Sequence, residues 1–147
     1  MRFAFLIYHF FPHGGQQRDF LRIARACAAR GHDIDVYTLR WNADAALVED
    51  TGAGSIRITE IPARAWTRHR LYERFRRAVD GYLAERPVDA VVGFTRMQGL
   101  DVYFGADTCY AERIARQRPP GYRWLPRSRH FLCDEAAVFG AGSTTRI

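Results

Sequence analysis

The chain has 147 residues, a length that fits one domain, and its 48% hydrophobic content is enough to form a core. No apolar run approaches the ~18 residues of a membrane span, and the short N-terminal FAFLIY run lacks the features of a signal peptide. The three cysteines are widely spaced and odd in number, which argues against a disulfide framework or a zinc site. They favour reduced thiols in a cytosolic protein.

The net charge of +6 rests on 22 basic residues, all of them arginine. A GC-rich genome would produce this bias. A need for guanidinium groups, which bind phosphate or carboxylate with two hydrogen bonds, would also produce it. The charge therefore predicts an anionic partner and leaves open whether it is a polyanion, a membrane or a phosphorylated ligand.

The first 40 residues predict a βαβ unit. Residues 3–8 are continuously apolar, which is typical of a strand buried on both faces. Residues 16–30 place apolar side chains at helical spacing, and Gly31 follows as a stop signal. Residues 32–40 alternate as a second strand, so the unit predicts parallel pairing.

The rest of the chain continues to alternate between strands and helices. Residues 41–54 predict a loop, 55–61 a third strand, and 66–85 a helix with Leu71, Phe75, Val79 and Tyr82 or Leu83 inward. Strands are predicted at 88–94 and 101–106, helices near 110–118 and 129–139, and a new strand at 144–147. The pattern predicts an α/β fold with a Rossmann-like parallel sheet flanked by helices. The strand beginning at the end suggests half of a two-domain protein.

The stretch FPHGGQQRDF, residues 11–20, joins the first strand to the first helix. A helix N-terminus attracts anions, and Gly14 and Gly15 would remove obstructing side chains and allow positive φ. A tight turn is an equally good explanation of the pair. The glycines match neither the G-x-G-x-x-G dinucleotide fingerprint nor a P-loop, which disfavours a nicotinamide-dependent oxidoreductase and an ATP site.

Four motifs in order carry a family resemblance: FPHGGQQRDFLRIA, ARGHDIDVYT, VVGFTRMQGLDVYFGADTCYAE and RHF. Over essentially all 147 residues the chain resembles the N-terminal domain of retaining GT-B glycosyltransferases. Within them it is most similar to the lipopolysaccharide core glucosyltransferases that add the first hexose to inner-core heptose in Gram-negative bacteria.

The resemblance implies two Rossmann-like domains facing a cleft, with residues 1–147 as the acceptor-side domain and a C-terminal donor-binding domain beyond them. The whole enzyme would transfer a hexose, with UDP-glucose as the expected donor, to the lipopolysaccharide inner core with retention. No metal or other cofactor is expected, and the isolated fragment is expected to be inactive. The D-x-D triplet at residues 33–35 lies at the start of a strand, which is the wrong place for a metal site.

The resemblance also assigns roles to individual residues. Gly15, with Gly14 and Asp19, would bind the donor diphosphate, while Asp107 would be catalytic, stabilising positive charge on the reacting sugar or binding its hydroxyl. Asp19 could equally be an acid in a helix's first turn, and Asp107 an N-cap.

The resemblance places the acceptor beside Phe94, Thr95 and Arg96. Arg96 could also be a solvated charge.

Residues 113–130 combine arginines with aromatic residues and contain no acid. That composition favours contact with an anionic membrane surface, at the cytoplasmic face of the inner membrane if the acceptor is lipid-linked. A solvated basic loop is the alternative. The predicted contact residues are Arg113, Arg116, Arg118, Arg123, Trp124 and Arg127.

A second function class remains open, that of a non-catalytic basic module that binds anionic lipid or nucleic acid. No RRM, KH or helix-turn-helix signature is present in the sequence. A nucleic-acid partner is therefore not expected.

Overall fold

The computed structural model describes residues 1–42, 53–106 and 108–147. These form an α/β unit around a five-stranded sheet in which each neighbouring pair is parallel, in the order β3-β2-β1-β4-β5. The strands are β1 (Arg2–Phe10), β2 (Asp33–Trp41), β3 (Ile56–Glu60), β4 (Ala90–Gly93) and β5 (Val102–Tyr103). The helices are α1 (Gly15–Ala28), α2 (Arg68–Glu85), α3 (Tyr110–Gln117) and α4 (Pro126–Phe139), with a 3₁₀ turn at Tyr122–Trp124.

Alternation along β1 divides the core into two halves. Ala4, Leu6 and Tyr8 pack on one face against α2 and α4, whereas Phe5 and Ile7 pack on the other against α1. The sheet is therefore a middle layer between helices, as the alternating sequence pattern predicts. The fold class predicted from the sequence is confirmed.

Differences from the predicted elements lie mainly in their ends and in α2. Phe75 and Val79 are buried as predicted, but Tyr72 takes the next inward position and stacks on Tyr8 with 3.7 Å between ring centroids. Tyr82 remains 38% exposed because it lies at the rim of that face. Near the last residue, Arg146 forms one parallel bridge to Val102, where a new strand was predicted. Most of the predicted loop 41–54 lies outside the described residues.

Candidate functional site

The carboxyl ends of β1 and β4 meet at one edge of the sheet because the two strands are parallel neighbours. The strand order reverses between them, since β2 and β3 lie beyond one side of β1 and β4 and β5 beyond the other. Ligands of open α/β sheets bind in the crevice at such a reversal. The segments that follow β1 and β4 carry most of the predicted site residues.

The two glycines after β1 have different structural roles. A Cβ on Gly14 would lie 1.8 Å from Oε1 of Gln17 and 2.9 Å from the Phe11 ring, whereas one on Gly15 would have no atom of the described chain within 4 Å. Gly14 is the N-cap of α1, and no side chain caps the helix there. No capping side chain therefore covers the start of α1, and the backbone of Gly15 is exposed there. Neither glycine adopts the positive φ that glycine allows, because Gly14 has φ −88° and Gly15 is helical.

Two glutamine amides fix this glycine loop to the sheet. Nε2 of Gln17 donates to the His9 carbonyl at 3.4 Å, and Nε2 of Gln16 donates to the Phe94 carbonyl. The second bond joins the segment after β1 to the segment after β4, across 78 residues of sequence.

Asp19 does not lie where the sequence placed it. Since α1 begins at Gly15, Asp19 is its fifth residue, and the first turn contains no acid. Its carboxylate lies 3.9 Å from the Arg22 guanidinium, and nearly half of its side chain is exposed. A role as a first-turn acid is therefore wrong, while a donor-binding role stays a prediction.

The structure separates the three residues predicted to line the acceptor side. Phe94 is fully buried against Phe5, Phe20 and Phe104, because its side chain points to the α1 face of the sheet. The Phe94 side chain is therefore enclosed by protein, and its place on the acceptor side stays a prediction. Thr95 and Arg96 instead line a cavity on the opposite face.

Arg96 is held by Glu135, a residue of α4 that the sequence did not single out. Oε1 of Glu135 accepts from the Arg96 guanidinium at 2.5 Å and from the Tyr110 N–H at 2.6 Å. Its Oε2 accepts from the Ala111 N–H at 2.7 Å. Both acidic oxygens are therefore occupied, and Arg96, with 17% of its side chain exposed, is not a solvated charge. The partners are 39 residues apart, so no local pattern signals the pair.

The cavity has a volume of about 220 Å³ and lies at the carboxyl edge, between the strands and α2, α3 and α4. Its wall includes four arginines, four aromatic residues, Thr95 and Asp134. We name it the arginine cavity; its arginine and aromatic residues are Arg68, Arg96, Arg113, Arg127, Tyr8, Tyr72, Tyr110 and Phe131. Arg68 is the first residue of α2, and the sequence gave no sign that α2 and α3 converge there.

Burial controls the protonation of two groups in this wall. It raises the pKa of Tyr8 well above its ordinary value, with Asp134 and Tyr72 adding to the effect, so the phenol stays neutral. Burial also raises the pKa of Asp134, against the opposing influence of His130, whose Nε2 lies 3.3 Å from its carboxylate.

Asp107, predicted to be catalytic, lies outside the described residues. The residue at the N-cap of the following helix is Cys109, whose Sγ accepts from the Glu112 N–H at 3.5 Å.

The predicted membrane-contact residues divide between two surfaces. Arg113 and Arg127 line the arginine cavity, whereas Arg123 and Trp124 lie outside its wall, with Trp124 71% exposed. Four of the arginines lie over aromatic rings, at 5.0 to 6.0 Å from the ring centroids. The four pairs are Arg113 with Tyr110, Arg118 with Tyr122, Arg123 with Trp124 and Arg127 with Phe131. Arg116 forms an ion pair with Glu112.

Across the described ranges, no group of three or more His, Cys, Asp or Glu residues is placed to hold a metal. The D-x-D carboxylates lie at the amino end of β2, where Asp33 accepts from the Ser55 hydroxyl at 2.6 Å. Asp35 is paired with Arg57 at 3.0 Å and Arg2 at 3.4 Å. Both acids thus have structural partners, on the edge of the sheet opposite the site. In the same ranges, no helix combines the length and apolarity that crossing a membrane demands.

Comparison with known proteins identifies a relative. No protein-family model matches the chain. Lipopolysaccharide glucosyltransferase WaaG of Escherichia coli (strain K12) is 42% identical over 144 residues, which are 98% of this chain and 37% of that protein. A crystal structure of WaaG, a glycosyltransferase involved in lipopolysaccharide biosynthesis, superposes with a TM-score of 0.87 over 97% of this chain and 37% of its own. The chain is therefore related, in sequence and in fold, to the Rossmann-like N-terminal half of WaaG, a GT-B glycosyltransferase.

Proposed function

We propose that the chain is the acceptor-side half of a retaining GT-B glycosyltransferase of lipopolysaccharide core synthesis. The complete enzyme transfers a hexose, glucose from UDP-glucose, to inner-core heptose, and a C-terminal domain supplies most of the donor site. The 42% identity to a lipopolysaccharide glucosyltransferase supports the reaction class. That match spans 37% of the relative, so the activity of the whole protein is part of this proposal.

The observation that carries the proposal is the open N-terminus of α1 at the carboxyl edge of the sheet. Gly15 has no Cβ, and among the described residues no atom lies within 4 Å of the place a Cβ would take and no side chain caps the helix. Backbone N–H groups and the helix dipole at such an end favour a diphosphate. In this proposal Gly15 donates its N–H to the donor diphosphate, and Asp19 lies one turn further along the helix.

Within the same proposal, Asp107 stabilises positive charge on the reacting sugar or binds one of its hydroxyls. Catalysis then requires orientation of two substrates and electrostatic stabilisation of the transition state, with no metal ion. The enzyme works at the cytoplasmic face of the inner membrane, where its lipid-linked acceptor is exposed.

Two substitutions at Gly15 test the donor site. Proline suits the first position of a helix and follows the extended Gly14 without strain, yet it deletes the N–H. Alanine keeps the N–H and meets no protein atom. We expect Gly15→Pro to lower kcat/KM for UDP-glucose by about 100-fold, the usual cost of one donor to transition-state charge. Gly15→Ala then measures the steric part alone.

The assay follows hexose transfer from UDP-glucose to heptose-terminated lipopolysaccharide, using the protein as its source makes it. The intact mass of that protein establishes whether a donor-binding domain accompanies these residues. Equal activity in Gly15→Pro and the unaltered protein would exclude the N–H as a donor ligand. Absence of transfer from every UDP-sugar tested would reject the proposed reaction and favour a non-catalytic lipid-binding module.

A further inference from the structure

The arginine cavity contains more positive charge than its acidic neighbours balance. Arg96 is already paired with Glu135, and Asp134 contacts His130. For Arg68, Arg113 and Arg127, no carboxylate of the described residues lies within ion-pairing distance. Their contacts there are the Tyr72 hydroxyl for Arg68 and the faces of Tyr110 and Phe131 for the other two. Three arginines from three helices thus line one concavity, and none of them forms an ion pair with a carboxylate of the described residues.

A second observation at the same wall indicates a ligand. The Thr95 hydroxyl is inaccessible to solvent and makes no hydrogen bond within the described part of the chain. Leaving such a group unsatisfied costs about 1–3 kcal/mol, so buried hydroxyls normally have partners. Since Thr95 lines the cavity, a rotation of its side chain would bring this hydroxyl to a bound polar group, which would supply the partner.

The size of the cavity limits what it can bind. Its 220 Å³ is below the ~300–1,000 Å³ of pockets that enclose a drug-sized ligand. One sugar ring or one charged substituent fits, and a whole nucleotide does not. Guanidinium groups bind phosphate and carboxylate oxygens with paired, charge-assisted hydrogen bonds, so an oxyanion is the matching substituent.

The donor diphosphate is not the expected occupant. The open end of α1 belongs to the face of the sheet that packs around Phe20, whereas the cavity adjoins Tyr8 and Tyr72 on the other face. We propose that the arginine cavity binds a phosphate or carboxylate group carried by the acceptor sugar, with Arg68, Arg113 and Arg127 as its ligands. The inference that an oxyanion binds here depends on the features of the cavity alone. Only the identification of the carrier as the acceptor rests on the proposed function.

Direct titration of the chain tests the cavity without any transfer reaction. The probes are glucose 6-phosphate, glucuronate, inorganic phosphate and neutral glucose, with binding followed by isothermal calorimetry and NMR shifts of the arginine side chains. We expect the charged sugars to bind and glucose not to. Arg113→Gln and Arg127→Gln each weaken binding of the charged sugars about tenfold, as for the loss of one charged hydrogen-bond partner. Thr95→Val weakens it severalfold.

Arg116→Gln is the matched control. Arg116 lies on α3 like Arg113, but it pairs with Glu112 and is not part of the cavity wall. If Arg116→Gln weakens binding of the charged sugars as much as the cavity variants do, the binding reflects general electrostatic attraction and the proposed site is overturned. Binding of glucose as tight as that of glucose 6-phosphate would also overturn the proposed site. Circular-dichroism melting of each variant verifies that it folds.

The last part of the experiment measures binding to vesicles of phosphatidylglycerol. Binding to vesicles with no binding of any soluble oxyanion would overturn the proposal in favour of a lipid-surface site. If the protein binds the charged sugars but shows no glycosyl transfer, the cavity remains an oxyanion-binding site. Only the identification of the acceptor as the carrier of the oxyanion is then rejected.

Discussion

Glu135 illustrates how one buried side chain can organise several parts of a site. Its carboxylate accepts from the Arg96 guanidinium and from the first two N–H groups of α3. The start of α3 is therefore satisfied by protein, in contrast to the start of α1. Of these two helix ends at the carboxyl edge, α1 is the one available to an anionic ligand.

Removing the Glu135 carboxylate should be costly. Glu135→Ala leaves a largely buried guanidinium and two N–H groups without their acceptor, so we expect the free energy of unfolding to fall by about 3 kcal/mol. Glu112→Ala, which removes an exposed acid of α3, should lower it by less than about 1 kcal/mol. Urea denaturation of both variants measures the difference. Equal losses would show that the Glu135 contacts contribute no more than a surface ion pair.

At the residue scale, the sequence predicted positions better than contacts. Gly15 was correctly placed at an open helix start because a strand, two glycines and an amphipathic segment follow one another. The sequence did not show that the Phe94 side chain packs into the core, because the alternation of a short strand does not show where the chain bends after it. The Glu135 partnership depends on tertiary packing and has no local sequence signal.

At the element scale, the sequence predicted the five strands and four α-helices of the described residues but not the 3₁₀ turn, because the longer elements have a buried face of regular spacing. The order of the strands in the sheet does not follow from the periodicity of the sequence. It depends on which edge each crossover joins, and hydrophobic spacing within one element does not encode that choice. The arginine cavity depends on the same choice, since α2, α3 and α4 meet only after the sheet is assembled.

The end of β4 is packed too closely to accept a side chain at Gly93. A Cβ there would lie 2.3 Å from Cδ1 of Leu100 and 3.0 Å from the Thr95 carbonyl oxygen. We expect Gly93→Ala to lower the free energy of unfolding by about 1–3 kcal/mol through overpacking. Leu100→Ala should lower it by about 2–5 kcal/mol through the cavity it creates. Because the methyl group added by Gly93→Ala fills part of that cavity, the double variant should lose about 1 kcal/mol less than the sum.

Thermal unfolding of the two single variants and the double variant measures these losses. A loss in the double variant equal to the sum of the two single losses would contradict the packing argument. Gly81→Ala is the control, because its expected effect on the free energy of unfolding has the opposite sign. Gly81 is exposed inside α2, and nothing lies within 4 Å of the place its Cβ would take, so alanine should stabilise the protein by roughly 0.5–1 kcal/mol.

For the whole molecule, the charge of +6 matters less than its distribution. The arginines predicted as one membrane-binding set fall into two groups once α3 and α4 pack together. Arg113 and Arg127 line a cavity, while Arg123 lies beside the exposed Trp124 and Leu125. An aromatic side chain flanked by arginine is a suitable anchor at an anionic bilayer surface.

We therefore expect vesicle binding to depend on the second group. Arg123→Gln and Trp124→Ala should each weaken co-sedimentation with vesicles containing phosphatidylglycerol severalfold, because each removes roughly 1 kcal/mol of surface interaction. Arg70→Gln, an equal loss of charge on α2, should have little effect. Binding that is the same for neutral and anionic vesicles would exclude electrostatic docking.

The amide of Gln16 links the two halves of the candidate site mechanically. It lies in the first turn of α1, beside the open helix end, and donates to the carbonyl of the residue before Thr95. A ligand that displaces one segment must strain or break this bond and so shift the other. We then expect the donor end and the arginine cavity to influence each other's affinity by the same factor, whichever ligand binds first. The strength of this coupling would thus depend on the side-chain amide of one glutamine.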